Sequence, residues 1–109
     1  MVCNNFEMPY LQRRERIYSV YIMASKKNGT LYIGVTGDLP SRVMQHKDGA
    51  NEGFTKNYNV KTLIWFKNFE EIDRAIQREK TMKKWPRQWK INVVELKNPE
   101  WNDLITTIL

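Results

Sequence analysis

The sequence predicts an α+β fold: a small, mainly antiparallel three-stranded sheet flanked by helices. Two runs of aromatic and β-branched residues, YSVYIMA at 18–24 and LYIGVT at 31–36, read as strands. The Asn28-Gly29 pair between them is a strong hairpin signal, because both residues tolerate positive φ. A third run, VKTLIWFK at 60–67, supplies the remaining strand, and helix start and stop signals separate the pieces.

Each element has its own local reason. Residues 1–16, rich in Asn and Arg, form an irregular N-terminal extension, and residues 17–109 form the domain. After the hairpin, Gly37-Asp38-Leu39-Pro40 opens a helix, with Asp38 or Leu39 as N-cap and Pro40 in the first turn. It runs to about Lys47 and stops at Gly49. Residues 50–59 are a polar loop. Past the third strand, Asn68 is the expected cap of a second helix, with Glu71 at the capping-box position. That helix is acidic at its start and basic at its end, which matches its dipole. Pro86 ends it or begins a one-turn helix through Lys90. INVVEL at 91–96 reads as a short strand or a buried coil, and Asn98-Pro99 opens a last helix.

The bulk properties narrow the function. A chain of 109 residues, 41% hydrophobic and 28% charged, suits one ordinary globular domain. It holds no apolar stretch of membrane-spanning length, and its N-terminus lacks the apolar run of a signal peptide. The single cysteine, Cys3, excludes an internal disulfide, so a reducing cytoplasm is the expected setting. One histidine and one cysteine exclude a zinc site of the usual Cys/His kind. Eighteen Lys+Arg against twelve Asp+Glu leave a charge of +6, which favours an anionic partner, nucleic acid first.

Strand alternation sorts the hairpin side chains into two faces. A two-residue turn at Asn28-Gly29 sets Tyr32 opposite Ser25, Gly34 opposite Met23 and Thr36 opposite Tyr21. Val20, Ile22, Ala24, Leu31, Ile33 and Val35 make one aliphatic face, the core face. Ser19, Tyr21, Ser25, Tyr32 and Thr36 share the other, where Gly34 leaves a gap beside the tyrosines. Those tyrosines either floor a pocket or pack under the helices with their hydroxyls at the rim. On the next helix Arg42 and His46 stand four apart on one face, beside the apolar Leu39 and Val43. On the later helix Ile72, Ala75 and Ile76 mark the buried stripe, and Glu79 continues it. A carboxylate there is costly without a partner: an arginine, a lysine or a metal ion.

Val20-Tyr21-Ile22, Tyr32-Ile33-Gly34, Arg42, His46 and Glu79, in that order, resemble the signature of the GIY-YIG nucleases. The likeness runs on through Phe54-Thr55 and AIQREKTMKKW to NPEWNDL, roughly residues 17–104, and is strongest to small stand-alone bacterial members. The N-terminal domain of the bacterial excision-repair incision subunit is of the same kind. Val20 stands where the name-giving glycine is usual. The resemblance implies a GIY-YIG endonuclease fold and a divalent-metal-dependent endonuclease that hydrolyses DNA phosphodiester bonds. Repair or recombination is the implied setting, with branched, nicked or damaged DNA as substrate. Glu79 is then the ligand of one Mg²⁺ or Mn²⁺. Arg42 holds a phosphate oxygen. Either Tyr21 or Tyr32, with its pKa lowered by the metal and Arg42, takes the proton of the attacking water. His46 relays or anchors that proton, Gly34 belongs to the structural motif, and Asn98 is a further candidate. Lys26, Lys27, Lys56, Lys83, Lys84 and Arg87, with Lys61 and Lys90, are placed to track a backbone. Trp85 and Trp89 either stack on bases or anchor packing. The alternative is a nucleic-acid-binding module of the same fold with little or no cleavage, and a third reading is a protein-interaction domain.

Overall fold

A computed structural model describes residues 16–49 and 58–109 of the chain. Strands β1 (Tyr18–Ala24), β2 (Leu31–Thr36) and β3 (Thr62–Phe69) form one antiparallel sheet in the order β2-β1-β3. Helix α1 (Leu39–Asp48) lies between β2 and β3, and α2 (Ile72–Lys83) and α3 (Arg87–Glu95) follow, with a 3₁₀ turn at Ile105–Thr107. The expected fold class is therefore the observed one. The extension up to residue 15, the loop residues 50–57 and the motif residues Phe54, Thr55 and Lys56 lie outside the described residues.

The hairpin keeps the expected faces but not the expected pairing. Ser25 N donates to Thr30 O at 3.0 Å and Gly29 N to Lys26 O at 2.9 Å, so residues 26–29 make a four-residue turn. Asn28 takes the left-handed conformation, with φ 63°. The longer turn slides the register by two residues, so Gly34 faces Tyr21 and Tyr32 faces Met23. A slip of two preserves the alternation of faces, where a slip of one would have reversed it.

The sheet divides the core into two layers. Val20, Ile22, Ala24 and Ile33 pack on Ala75 and Met82 of α2 and on Val94 of α3. Tyr21 and Met23 turn the other way, onto Leu39 and Val43 of α1 with Val60 and Leu63. Strand β3 serves both layers through a bulge: Ile22 faces Trp65 while Met23 faces Leu63, leaving Ile64 as the extra residue. The unbroken apolar run of residues 63–66 has this cause, since Ile64 and Trp65 both join the helix-packed layer while Leu63 and Phe66 join the other.

The ends of elements correct several expectations. Strand β3 starts two residues later than expected and runs on through Asn68, whose Oδ1 accepts from Ser19 Oγ at 2.7 Å. Asn68 therefore caps nothing; Glu71 is the N-cap of α2 and makes no side-chain cap bond. In α2 Ile72 is exposed, and the buried line begins one turn later at Ala75. Residues 91–95 are neither strand nor coil but the body of α3, which Pro86 opens and which extends past Lys90. Packing of Val94 into the core and of Ile91 and Val93 against it outweighs their strand preference. Helix α1 matches its signals: Asp38 accepts from Ser41 N at 3.3 Å, and Gly49 ends the helix at φ 70°.

Asn98 opens no helix. It is buried, and its Nδ2 donates to Ile64 O at 3.0 Å and to Asn102 O at 2.9 Å while its Oδ1 accepts from Asn102 N at 2.9 Å. A bulge disrupts the ladder locally, and this side chain answers the carbonyl of the bulged residue. The segment after it covers the start of β3, with Leu104 N donating to Leu63 O at 2.8 Å. Asn98→Ala removes three hydrogen bonds and buries an unanswered carbonyl. The expected loss is about 2–4 kcal/mol, read as a lower urea midpoint at unchanged slope.

Candidate active site

The non-aliphatic face of the hairpin carries a cluster built on one close approach. Tyr21 is fully buried and lies across Gly34 on the neighbouring strand. A Cβ at Gly34 would stand 2.5 Å from the Tyr21 hydroxyl and 2.6 Å from its ring carbon Cζ. Any other residue here would have to displace the ring, so the glycine makes room for the phenol rather than for a turn. Tyr32, two residues before Gly34 on β2, tilts toward Tyr21 with ring centroids 6.2 Å apart.

Helix α1 closes the cluster from above. Leu39 and Val43 seat it on the sheet, and that rotation turns Arg42 and His46 toward the phenols. His46 is buried, contrary to the solvated surface usual for such a pair. Its Nε2 is 3.0 Å from the Tyr21 hydroxyl, and its ring centroid is 5.3 Å from that of Tyr32. The Arg42 guanidinium and the Tyr32 hydroxyl both lie within interaction range of the Tyr21 hydroxyl. Four of the five expected site residues therefore come together: Tyr21, Tyr32, Arg42 and His46.

The electrostatics correct one expectation. Burial, and next the neighbouring Tyr32, hold the Tyr21 phenol well above its ordinary pKa. Arg42 pulls the other way by charge and hydrogen bond, and loses. Tyr21 is thus a protonated phenol near neutral pH, not an activated phenolate. Burial first and the Arg42 charge second hold His46 below its ordinary pKa, so its imidazole is neutral near pH 7. A neutral imidazole beside a protonated phenol can accept that proton at Nε2. Its Nδ1 is buried and makes no bond among the described residues.

Glu79 arrives from the other layer. It lies on α2 between Ala75 and Met82, and its side chain is only 12% exposed. Its partner is Lys83, with Nζ 2.7 Å from Oε2. Lys83 in turn lines a surface cleft with Tyr32 and Lys90, beside the edge strand β2. Through Lys83 the acid is tied to the border of that cleft, which it does not itself line. Among the described residues no group of three or more His, Cys, Asp or Glu could hold a metal. The donor set at this border is one carboxylate. That suits a cation that keeps most of its water, such as Mg²⁺, and not a dry cage.

The expected basic residues that are described occupy three places. Lys26 and Lys27 lie in the hairpin turn, and Lys27 is 3.7 Å from Glu100. Arg87 Nη2 donates to Gly29 O at 2.6 Å, fastening that turn to the start of α3 near Lys83 and Lys84. Lys61 is exposed beside β3, and its carbonyl accepts from Lys47 Nζ at 3.0 Å. The direct Tyr21–His46 bond escaped the sequence reading, although His46 at four residues from Arg42 was its only available sign.

Comparison with known proteins identifies the family and the fold. Residues 17–92 match the family described as the GIY-YIG catalytic domain. A UPF0213 protein of Staphylococcus haemolyticus is 32% identical over 76 residues, covering 70% of this chain and 92% of its own length. A UPF0213 protein of Clostridium perfringens is 32% identical over 79 residues, covering 72% and 84%. The solution NMR structure of a UPF0213 protein from Bacillus halodurans is similar at a TM-score of 0.51 and 26% identity, over 80% of this chain and 92% of that one.

Two outcomes follow from the cluster. Gly34→Ala forces the Tyr21 ring aside and should cost about 1–3 kcal/mol of stability, measured by chemical denaturation. His46 is the single histidine of the chain, so its titration can be isolated. Its folded pKa is depressed. Below about pH 6.5 the unfolded chain therefore binds a proton that the folded chain resists, and stability falls as the pH falls. A His46→Gln variant should lack that part of the decline between about pH 7 and pH 5; parallel curves would refute the assignment.

Proposed function

The chain belongs to the GIY-YIG catalytic-domain family, and from that premise we propose that it is a divalent-metal-dependent endonuclease hydrolysing DNA phosphodiester bonds. The observation that carries the reading is the convergence of Tyr21, Tyr32, Arg42 and His46 within one layer, with Glu79 tied through Lys83 to the cleft that Tyr32 lines. Packing alone does not call for a guanidinium, an imidazole and two phenols at one place.

Arg42 holds a non-bridging phosphate oxygen and offsets the charge that grows there during hydrolysis. Of the two phenols, Tyr32 is the one at the cleft, while Tyr21 is fully buried behind it. Tyr32 is therefore assigned to meet the attacking water. The Tyr21 hydroxyl interacts with both Tyr32 and His46 Nε2, and the neutral imidazole is the base to which a proton can move through Tyr21. Glu79 is the ligand for one Mg²⁺ or Mn²⁺, with Lys83 as its counter-charge otherwise. When bound, such an ion supplies charge neutralisation at the phosphate and at the leaving oxygen.

The test is nicking of supercoiled, single-stranded and branched DNA with Mg²⁺ or Mn²⁺, against a chelator control. Arg42→Ala and Glu79→Ala should each lower the rate by about 100-fold or more while leaving the fold and DNA binding largely intact. Tyr32→Phe should fall more steeply than Tyr21→Phe. Variants that cut as fast as the parent would refute the site. Salt-dependent DNA binding without any turnover would make the chain a binding module instead.

A further inference from the structure

One side chain belongs both to the candidate metal ligand and to the cleft beside Tyr32. Lys83 Nζ is 2.7 Å from Glu79 Oε2, one turn away on α2. Lys83 also lines that cleft, a space of about 350 Å³ shared with Leu31, Tyr32, Ile33 and Lys90. The two members of the pair differ in surroundings. The Glu79 side chain is 12% exposed, whereas the Lys83 side chain is 52% exposed. The acid is therefore fixed by its packing, and the ammonium, on a flexible four-carbon stem, can swing away from it.

The chemistry of the pair limits what it can hold. A divalent cation approaching Glu79 meets an ammonium already at contact distance, and two like charges so close repel each other. Binding the cation therefore releases the lysine. The released ammonium has its next surroundings at hand. Among the described residues no acid lines the cleft, and Lys90 is in no ion pair. Lys27 and Lys47, by contrast, are held by Glu100 and Asp103. With Lys83 free, the cleft offers two ammonium groups and no counter-charge of its own. The chemistry that answers this is an anion with several oxygen acceptors, such as a backbone phosphate.

We propose that Lys83 exchanges partners: it neutralises Glu79 while the cation is absent, and with the cation on Glu79 it joins Lys90 in binding a backbone phosphate beside Tyr32. The exchange rests on the reading of Glu79 as a metal ligand. Its consequence is that cation and nucleic acid bind cooperatively, each strengthening the other by the same factor. Lys90, which has no such partner to leave, binds phosphate with or without the cation.

Two affinities test the exchange, and neither needs cutting. Mn²⁺ binding is followed by its electron paramagnetic resonance signal. Thymidine 3′,5′-bisphosphate, which carries phosphates but no diester, is titrated by calorimetry with and without Mn²⁺. Lys83→Met should tighten Mn²⁺ binding by about 3-fold, because the competing ammonium is gone. In the parent, Mn²⁺ should raise bisphosphate affinity by about 5-fold or more. Lys83→Met should lose most of that gain and change little in the absence of Mn²⁺. Lys90→Met should lower bisphosphate affinity equally in both conditions and leave Mn²⁺ binding unchanged. Circular dichroism checks that both variants fold. Unchanged Mn²⁺ affinity in Lys83→Met overturns the proposal, as does an undiminished gain, since the cation then draws the phosphate by itself. A parent that binds no Mn²⁺ overturns it together with the assignment of Glu79. If the exchange pattern appears while the parent fails to nick DNA, Lys83 keeps its role and the endonuclease reading falls. If the parent nicks while Lys83→Met binds Mn²⁺ and bisphosphate as the parent does, the reverse holds.

Discussion

The candidate site depends on the absence of a single methyl group. Tyr21 lies flat over the backbone of Gly34, where a Cβ would fall 2.5 Å from its hydroxyl. That approach keeps the ring wholly inside the molecule and brings its oxygen under His46 Nε2 at 3.0 Å. The burial that raises the phenol's pKa and the burial that lowers the imidazole's are two results of one packing arrangement. Each effect favours the neutral form, and a neutral phenol next to a neutral imidazole is poised to pass a proton without separating charge in the resting state. Arg42 is the nearby fixed cation that lowers the pKa of both groups.

The sheet then acts as a partition. One side carries aliphatic residues, packed by α2 and α3, and gives the domain its main core. The other carries the phenols beneath α1. Glu79 belongs by its helix to the first side, and its partner Lys83 lines the cleft that Tyr32 shares at the edge strand β2. A carboxylate placed there avoids full burial, and Lys83 supplies its counter-charge in an exposed-to-intermediate setting where such pairs contribute modestly.

The legible part of this architecture was whatever depends on short-range pattern. Period-two alternation separated Val20, Ile22 and Ala24 from Tyr21 before any coordinates, and the observed faces agree. The cap at Asp38 and the stop at Gly49 were equally local. Register was not, because Asn28-Gly29 signals a turn without setting its length, and the four-residue turn moved every partner by two. Residues 91–95 read as strand on their β-branched content, but the long-range packing of Val94 made them helix. Asn68 and Asn98 both looked like helix caps. Their real partners, Ser19 and the Ile64 carbonyl, are 49 and 34 residues away in sequence, beyond the reach of any window. The candidate-site residues were singled out by their resemblance to a family, whereas the burial that raises the Tyr21 pKa required the fold.

The bulge at Ile64 has a consequence for how this chain can change. Because Ile64 and Trp65 face the same layer while Leu63 and Phe66 face the other, β3 contains one residue more than a regular ladder would take. Deleting Ile64 would restore regular pairing and leave the later side chains on their faces, because Trp65 and Phe66 already stand opposite Ile22 and Tyr21; what is lost is a fully buried side chain of the main core and the carbonyl that Asn98 binds. A residue lost after the bulge, between Phe66 and Phe69, would instead shift the later pairs by one and exchange their faces, so length changes should be tolerated in the connecting turns but not in that half of the strand.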